Sequence, residues 1–300
     1  MPYTVVVTSF NSVETIELVI RSVRALVPPP NQVILVDDAS EDGSFQLIQD
    51  LIDAFPEFSL HVNDRNRGQS FSRNLGVSLS LNEFIIFQDD DDLSLPGRAG
   101  VHLDALNSGA DFSYVSSKKK YPNGYEVLNQ NSEIVSTKSS NPSFIRHLAA
   151  GLRIPGSLIV YSPSSTLAVR RTFFESIGGF SPDLRRLEDI ELACRALMAG
   201  ARLAWSNKVG VERLHTVGHD KSPRANSFGE LQVLKSAGGF LSRREYFVAR
   251  RMISLREAYF ERKLLPIVSN LLFMPIVLAL SPSKFSSVAR RAKHDLRQYR

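Results

Sequence analysis

The sequence predicts an α/β fold built on a parallel sheet. Short apolar runs rich in β-branched residues, Thr4–Ser9, Val33–Val36, Ser59–Val62 and Phe84–Phe87, alternate with stretches whose apolar residues recur at helical spacing. Two of these runs end in carboxylates, Asp37-Asp38 and Asp89-Asp90-Asp91-Asp92. The β-α-β-α-β-α-β order implies right-handed crossovers, which bring the carboxyl ends of the strands to one rim of a sheet covered on both faces.

Each element has a local justification. After the first strand, Asn11 is placed to cap a helix with Glu14 as its box partner. Ile16, Val19, Ile20 and Val23 form that helix's inner face, and Pro28-Pro29-Pro30 ends it. Ser40 to Ser44 turns into a second helix with Phe45, Ile48, Ile52 and Phe55 inward. Gly68 to Leu81 reads as a third helix, and Pro96 opens a fourth where a missing N–H costs nothing. Further on, Asp111–Ser117 and Ser165–Val169 read as strands, the second leading into a helix over Arg171–Ile177. Lys118-Lys119-Lys120 reads as a solvated flank, Asn123-Gly124 as a tight hairpin, and Asn129 to Ser143 as a polar loop. The helix Ile190–Met198 buries Ala193, Cys194 and Leu197, and Trp205 after the strand Ala201–Ala204 reads as core, with sugar stacking as the alternative.

The stretch FIIFQDDDDLSLPGR, Phe84–Arg98, holds the chemistry. Four adjacent carboxylates repel, and Arg98 is the cation nearest in sequence, so the cluster calls for a cation from outside. The end of a buried strand in an open α/β sheet is where ligands bind. A calcium loop of the EF-hand type is excluded, because a loop begun at Asp89 has Ser94 where Gly is needed and Gly100 where Glu is needed. A few hard oxygen ligands suit Mg²⁺ or Mn²⁺ completed by water and substrate phosphates. The alternative is a solvated acidic turn. With Asp37 and Asp38 on the same rim, a nucleotide-diphosphate-metal pocket is expected. No G-x-G-x-x-G follows the first strand and no G-x-x-x-x-G-K-[ST] occurs, which excludes the usual dinucleotide and P-loop sites.

Composition divides the chain. The net charge is +5, yet Asn226–Arg300 holds 14 Lys and Arg against 5 Asp and Glu. The basic character belongs to the tail and points to an anionic membrane surface or an acidic partner. No aromatic–basic interleaving accompanies it, so nucleic acid is not expected as a partner. Leu264–Leu280 is a 17-residue apolar run interrupted by Pro266 and Pro275. As a straight helix it reaches about 25 Å, short of the roughly 30 Å of bilayer hydrocarbon. It is read as an amphipathic pair lying in the membrane interface, with a span and a soluble lid or dimer contact as alternatives. The single cysteine, Cys194, rules out an internal disulfide and fits a reducing compartment. With the strand-like opening TVVVTSF, no secretory leader is expected. A cytoplasmic location at the inner face of the plasma membrane is expected.

VVVTSFNS, VILVDDASEDGS, NRGQSFSRNLG and FIIFQDDDDLSLP, in this order, resemble family 2 glycosyltransferases of the GT-A fold over roughly Tyr3 to Ser222. The resemblance implies a Rossmann-like α/β/α sandwich with a mixed, mainly parallel sheet, and a C-terminal helical segment. Residues 1–225 would form the glycosyltransferase domain, 1–98 its nucleotide half and 99–225 its acceptor half, with 226–300 the tail. It also implies a nucleotide-sugar donor, in the first place a UDP-sugar, a Mn²⁺ or Mg²⁺ ion, inversion at the anomeric carbon, and a saccharide or lipid-linked acceptor. Carried over by position, Ser9 and Asn11 border the nucleotide, Asp37 or Asp38 meets the uracil edge, and Arg73 lies near base and phosphates. Asp89 and Asp91 match the D-x-D pair, the first near the ribose and the second on the metal. Gln88 and Asp90 stand where the family often has apolar and small residues, and Asp90 is counted with the nucleotide set. Gly178-Gly179-Phe180 followed by Glu188-Asp189 resembles the acceptor-side motif, which implies Asp189 as the general base and Glu188 as the residue orienting it or the acceptor. Glu212-Arg213-Leu214-His215 and Ser222 resemble a loop that closes over the diphosphate, with His215 or His219 a metal or phosphate ligand. A nucleotidyltransferase and a non-catalytic sugar-nucleotide-binding protein are the competing readings.

Overall fold

The structure is a computed structural model that describes residues 1–121, 124–131, 134–135, 162–214 and 223–260. His215, His219, Ser222, most of the polar Asn129–Ser143 stretch, the apolar run 264–280 and the basic end 284–300 lie outside the described residues.

The predicted alternation is present from the first strand. Strands β1 (Tyr3–Ser9), β2 (Gln32–Asp37), β3 (Phe58–Val62) and β4 (Phe84–Asp89) are connected by helices α1 (Ile16–Arg24), α2 (Ser44–Ile52) and α3 (Gln69–Ser78). All four strands run parallel, in the spatial order β3-β2-β1-β4. Beyond them lie β5 (Asp92–Ser94), α4 (Arg98–Asn107), β6 (Phe112–Lys120), β7 (Glu126–Asn129) and β8 (Ile134–Val135). These are followed by β9 (Leu167–Arg170), α5 (Arg171–Ser176), α6 (Glu188–Met198) and β10 (Leu203–Arg213). The sheet continues past β4 as β9-β6-β10-β5, with β9 antiparallel to both β4 and β6. It is therefore mixed and mainly parallel. The chain ends its described part in α7 (Pro223–Ser236) and α8 (Arg243–Phe260).

Side chains alternate across β1, so Val5 and Val7 join one core layer and Val6 the other. The first layer holds Ile16, Ile20, Leu35 and Leu103; the second holds Phe87, Phe112, Leu192 and Trp205. Trp205 is buried and stacks on Tyr114 with ring centroids 5.7 Å apart, which places it in the core as read. Gly76 lets α3 approach β1: an added Cβ would lie 2.3 Å from Cγ1 of Val6.

Two expectations change. Asn11 does not cap α1; the helix starts at Ile16 after Thr15, without a side-chain cap. Asn11 instead adopts φ 50° and accepts the backbone N–H of Glu41 at 2.9 Å, so it links two rim loops. The second change concerns the tail. A boundary at residue 225 cuts through α7, whose Leu234 joins the same buried cluster as Leu192 of α6, and Ile253 of α8 joins it too. Among the described residues no helix is long and apolar enough to cross a membrane.

Candidate active site

Register brings the acidic strand ends together. Ser9 pairs with Asp37 on one side of β1, and Thr8 pairs with Asp89 on the other. Each carboxylate on the β2 side then has a local task. Asp37 is buried and accepts the N–H of Ser40 at 2.9 Å and its hydroxyl at 2.6 Å, shaping the β2–α2 loop. Asp38 accepts Nδ2 of Asn63 at 2.7 Å and the N–H groups of Arg67 and Gly68 at 2.8 and 2.7 Å, pinning the entry to α3. Ser9 and Ser12 share a hydroxyl hydrogen bond of 2.7 Å, and the exposed Asn11 donates its N–H to Ser40.

The four consecutive aspartates do different things. Asp89 completes β4. Asp90 accepts the N–H of Phe10 at 2.8 Å, and its carbonyl accepts the Thr15 hydroxyl, so it fastens the β1–α1 loop to the acidic turn. Burial pushes the Asp90 carboxyl up to about 7, Asp91 and Asp89 add to this, and the Phe10 N–H and Ser12 oppose it. The carbonyl of Asp91 accepts the N–H of Leu214 at 3.0 Å. Asp92 lies in β5 opposite Arg213 of β10, with Arg213 Nε 3.6 Å from its Oδ1. It is 1% exposed and neither oxygen accepts a hydrogen bond within the described structure. Burial pushes Asp92 up to about 7 as well, with Arg213 opposing and Asp89 and Asp91 adding.

Arg98, the nearest cation in sequence, makes no ion pair with these groups among the described residues. It is buried and donates to the carbonyls of Phe87 and Ser165 at 2.6 and 2.7 Å, to Gln88 at 2.8 Å and to Ser94 at 2.9 Å. Gln88 in turn donates to the carbonyls of Asp89 and Asp92. Gln88, one of the two residues that depart from the expected pattern, therefore ties the two ends of the aspartate turn together. Burial lowers the Arg98 guanidinium to about 10, against the pull of Asp92 and Asp89.

The second half of the site comes from α6. Arg73 of α3, 1% exposed, donates to Asp89 at 2.7 Å and to Glu188 at 3.0 Å, with Gln69 at 3.1 Å. Burial acts to lower its pKa, but Asp89 and Glu188 outweigh that and raise it. Glu188 and Asp189 occupy the first turn of α6, where the helix dipole favours negative charge. Asp189 accepts the N–H of Ile190 at 2.8 Å. Burial pushes Asp189 up to about 7 and Glu188 adds to this, while Ile190 N–H and Arg73 oppose it. Glu191 faces elsewhere: it binds Arg195 through two bonds of 2.7 Å and accepts Ser236 from α7.

Arg213, expected in a loop that closes over the diphosphate, instead ends strand β10 and pairs with Asp92 across the ladder. Arg213 is held above its usual range by Asp92, Asp89, Asp91 and Asp189 against the lowering effect of burial, so it faces both acidic groups. Among the described residues no three His, Cys, Asp or Glu side chains are grouped to hold a metal by themselves.

The parallel strands thus end in a shared acidic rim, and buried Arg73 ties Asp89 of that rim to Glu188 of α6. The family model described as "Glycosyl transferase family 2" matches residues 4–177, and the chain belongs to that family of glycosyltransferases. An uncharacterized glycosyltransferase of Haemophilus influenzae is 25% identical over 195 residues, covering 64% of this chain and 61% of that protein. The O-antigen chain rhamnosyltransferase RfbN of Salmonella typhimurium is 24% identical over 221 residues, covering 72% and 67%. Among solved structures, TarS residues 1–349 of S. aureus in complex with UDP-GlcNAc aligns with a TM-score of 0.63 at 17% identity, covering 96% of this chain and 82% of that one. That likeness establishes the fold.

Proposed function

We propose that the protein is an inverting, metal-dependent glycosyltransferase that moves a sugar from a UDP-sugar to a hydroxyl of a saccharide or lipid-linked acceptor in cell-surface polysaccharide synthesis. The observation that carries this reading is Arg73, whose guanidinium joins Asp89 of the donor-side pair to Glu188 beside the base. Two relatives support the substrate class by their names: the rhamnosyltransferase acts on an O-antigen chain, and TarS binds UDP-GlcNAc.

Asp89 and Asp91 offer the hard oxygen donors that Mn²⁺ or Mg²⁺ takes, with the donor diphosphate and water completing the shell, and His215 is a further candidate ligand. When bound, such a cation stabilises negative charge developing on the leaving diphosphate. The rest is done by the chain. Ser9, Asn11 and the Asp37–Asp38 turn border the nucleotide, and Asp90 holds the β1 loop against the acidic turn. Asp189, with its carboxyl near neutrality, accepts the proton of the acceptor hydroxyl, the setting in which a general base is most effective. The acceptor oxygen forms its bond to the anomeric carbon from the face opposite the diphosphate. The old carbon–oxygen bond breaks with its electron pair on the phosphate, so the configuration inverts. Glu188, fixed by Arg73, holds the base in place. The basic segment 226–300 makes peripheral contact with anionic membrane at the inner face of the plasma membrane.

A panel of radiolabelled nucleotide sugars, with and without Mn²⁺, tests this. Transfer from a UDP-sugar that depends on the ion is the expected result. Neither transfer nor hydrolysis from any member of the panel would overturn the reading.

A further inference from the structure

Leu187 immediately precedes Glu188 and Asp189, and its φ of 63° puts a branched side chain in the left-handed region. A residue stays there only where its surroundings hold it. Much of that support comes from α7. Gly229 is buried against the turn: an added Cβ would lie 2.4 Å from the carbonyl oxygen of Arg186 and 3.3 Å from Cβ of Leu187. Asn226, one turn earlier, accepts Nε of Arg186 at 3.0 Å. The other side of the loop is held from the donor half, where Ser70 donates to the carbonyl of Leu184 at 3.1 Å. Helix α7 itself is anchored by Val233 and Leu234, both buried, so it is a firm surface for the turn to rest on.

We propose that α7 sets the geometry of the base: Gly229 and Asn226 hold the Arg186–Leu187 turn, and the turn fixes where Asp189 stands relative to Glu188 and Arg73. Both are positioning residues, since neither reaches the reacting atoms. Asp189 is faced by Glu188 from its own helix, by Arg73 from α3, by Tyr114 from β6 and by Arg213 from β10. A small shift of the turn changes its relation to all four. The proposal rests on the reading of Asp189 as base for its catalytic meaning, and on contacts alone for its mechanical meaning.

The test uses the full chain with Gly229→Ala, Asn226→Ala and Asn226→Asp. Gly238→Ala serves as control, because nothing lies within 4 Å of a Cβ added there. Amide hydrogen exchange over residues 183–192 reads the turn; kcat and donor KM, with the sugar nucleotide chosen by the panel above, read the base. Gly229→Ala and Asn226→Ala should each speed exchange in that segment. They should lower kcat about 10–100-fold with donor KM unchanged, the cost of a misplaced catalytic group. Asn226→Asp, which keeps the acceptor oxygen, should restore both. If Gly229→Ala fails to fold, the two Asn226 variants carry the comparison. Exchange indistinguishable from the Gly238→Ala control, or faster exchange with kcat unchanged, overturns the proposal. Absence of transfer by the wild-type chain overturns only the reading of Asp189 as base; the exchange comparison still decides whether α7 holds the turn.

Discussion

Nη2 of Arg73 lies 2.7 Å from Oδ1 of Asp89, in a side chain that is 1% exposed. The same guanidinium reaches Glu188, so one buried cation compensates one carboxylate from β4 and one from α6. Removing it leaves two partly buried carboxylates without their counter-charge. Arg73→Ala should therefore destabilise the fold by about 3–5 kcal/mol, the usual cost of breaking a buried pair. Arg73→Lys keeps the charge but cannot reach both partners with a planar fork, and should fall between the two. Urea unfolding of the three proteins measures this; an Arg73→Ala protein as stable as wild type would show that the bridge is not what joins the halves.

Asp189→Asn should lower kcat by about 10²–10⁴-fold, the contribution of a general base. Its donor affinity should not change, because Asp189 acts on the acceptor side. A normal transfer rate in Asp189→Asn removes Asp189 from the mechanism.

The pH dependence has a definite sign. Asp189 must be ionised to accept a proton, and its carboxyl stands at about 7, so activity should rise as pH increases through about 7. Stability should move the other way. The folded-state value lies above that of an unfolded aspartate, so the native state binds the extra proton between the two. The stability this contributes is complete below about 3.9, the unfolded value, and is lost as pH rises through about 7. Asparagine is spared that loss. Asp189→Asn should thus melt above wild type at about pH 8 and lose this advantage near pH 4, read by thermal denaturation. An unchanged difference across that range would mean that Asp189 does not titrate differently in the folded protein.

If Asp91 helps hold a divalent cation with the donor, UDP and Mn²⁺ together should raise the melting temperature more than either alone. Ligand at about 100 times its Kd stabilises by about 2.7 kcal/mol. Asp91→Asn should abolish the Mn²⁺-dependent part and leave the binding of uridine alone intact. Equal stabilisation by UDP with Mn²⁺ and with chelator would exclude the metal from donor binding.

The basic segment predicts salt-sensitive membrane attachment. The full chain should sediment with vesicles containing anionic lipid at low salt and be released at about 1 M, where the screening length falls to about 3 Å. Equal sedimentation with neutral vesicles would assign the attachment to apolar contacts instead. Deletion from residue 226 is unsuitable for this purpose, since Leu234 of α7, Leu241 of the segment between the helices and Ile253 of α8 belong to the core.

The sequence by itself determined the order of the first four strands and the helices between them, the parallel first half of the sheet and the acidic rim. Those follow from local periodicity and from the handedness of crossovers, which act within a few tens of residues. Tertiary structure decided which charges meet. Arg98, close in sequence to the aspartates, spends its donors on carbonyls, Gln88 and Ser94, while Arg73 and Arg213 arrive from other elements to face Asp89 and Asp92. It also decided that Asn11 joins loops where a helix cap was expected, and that α7 belongs to the core it was set apart from. Pairing between distant charges depends on where whole elements pack, and no local pattern in the chain encodes that distance.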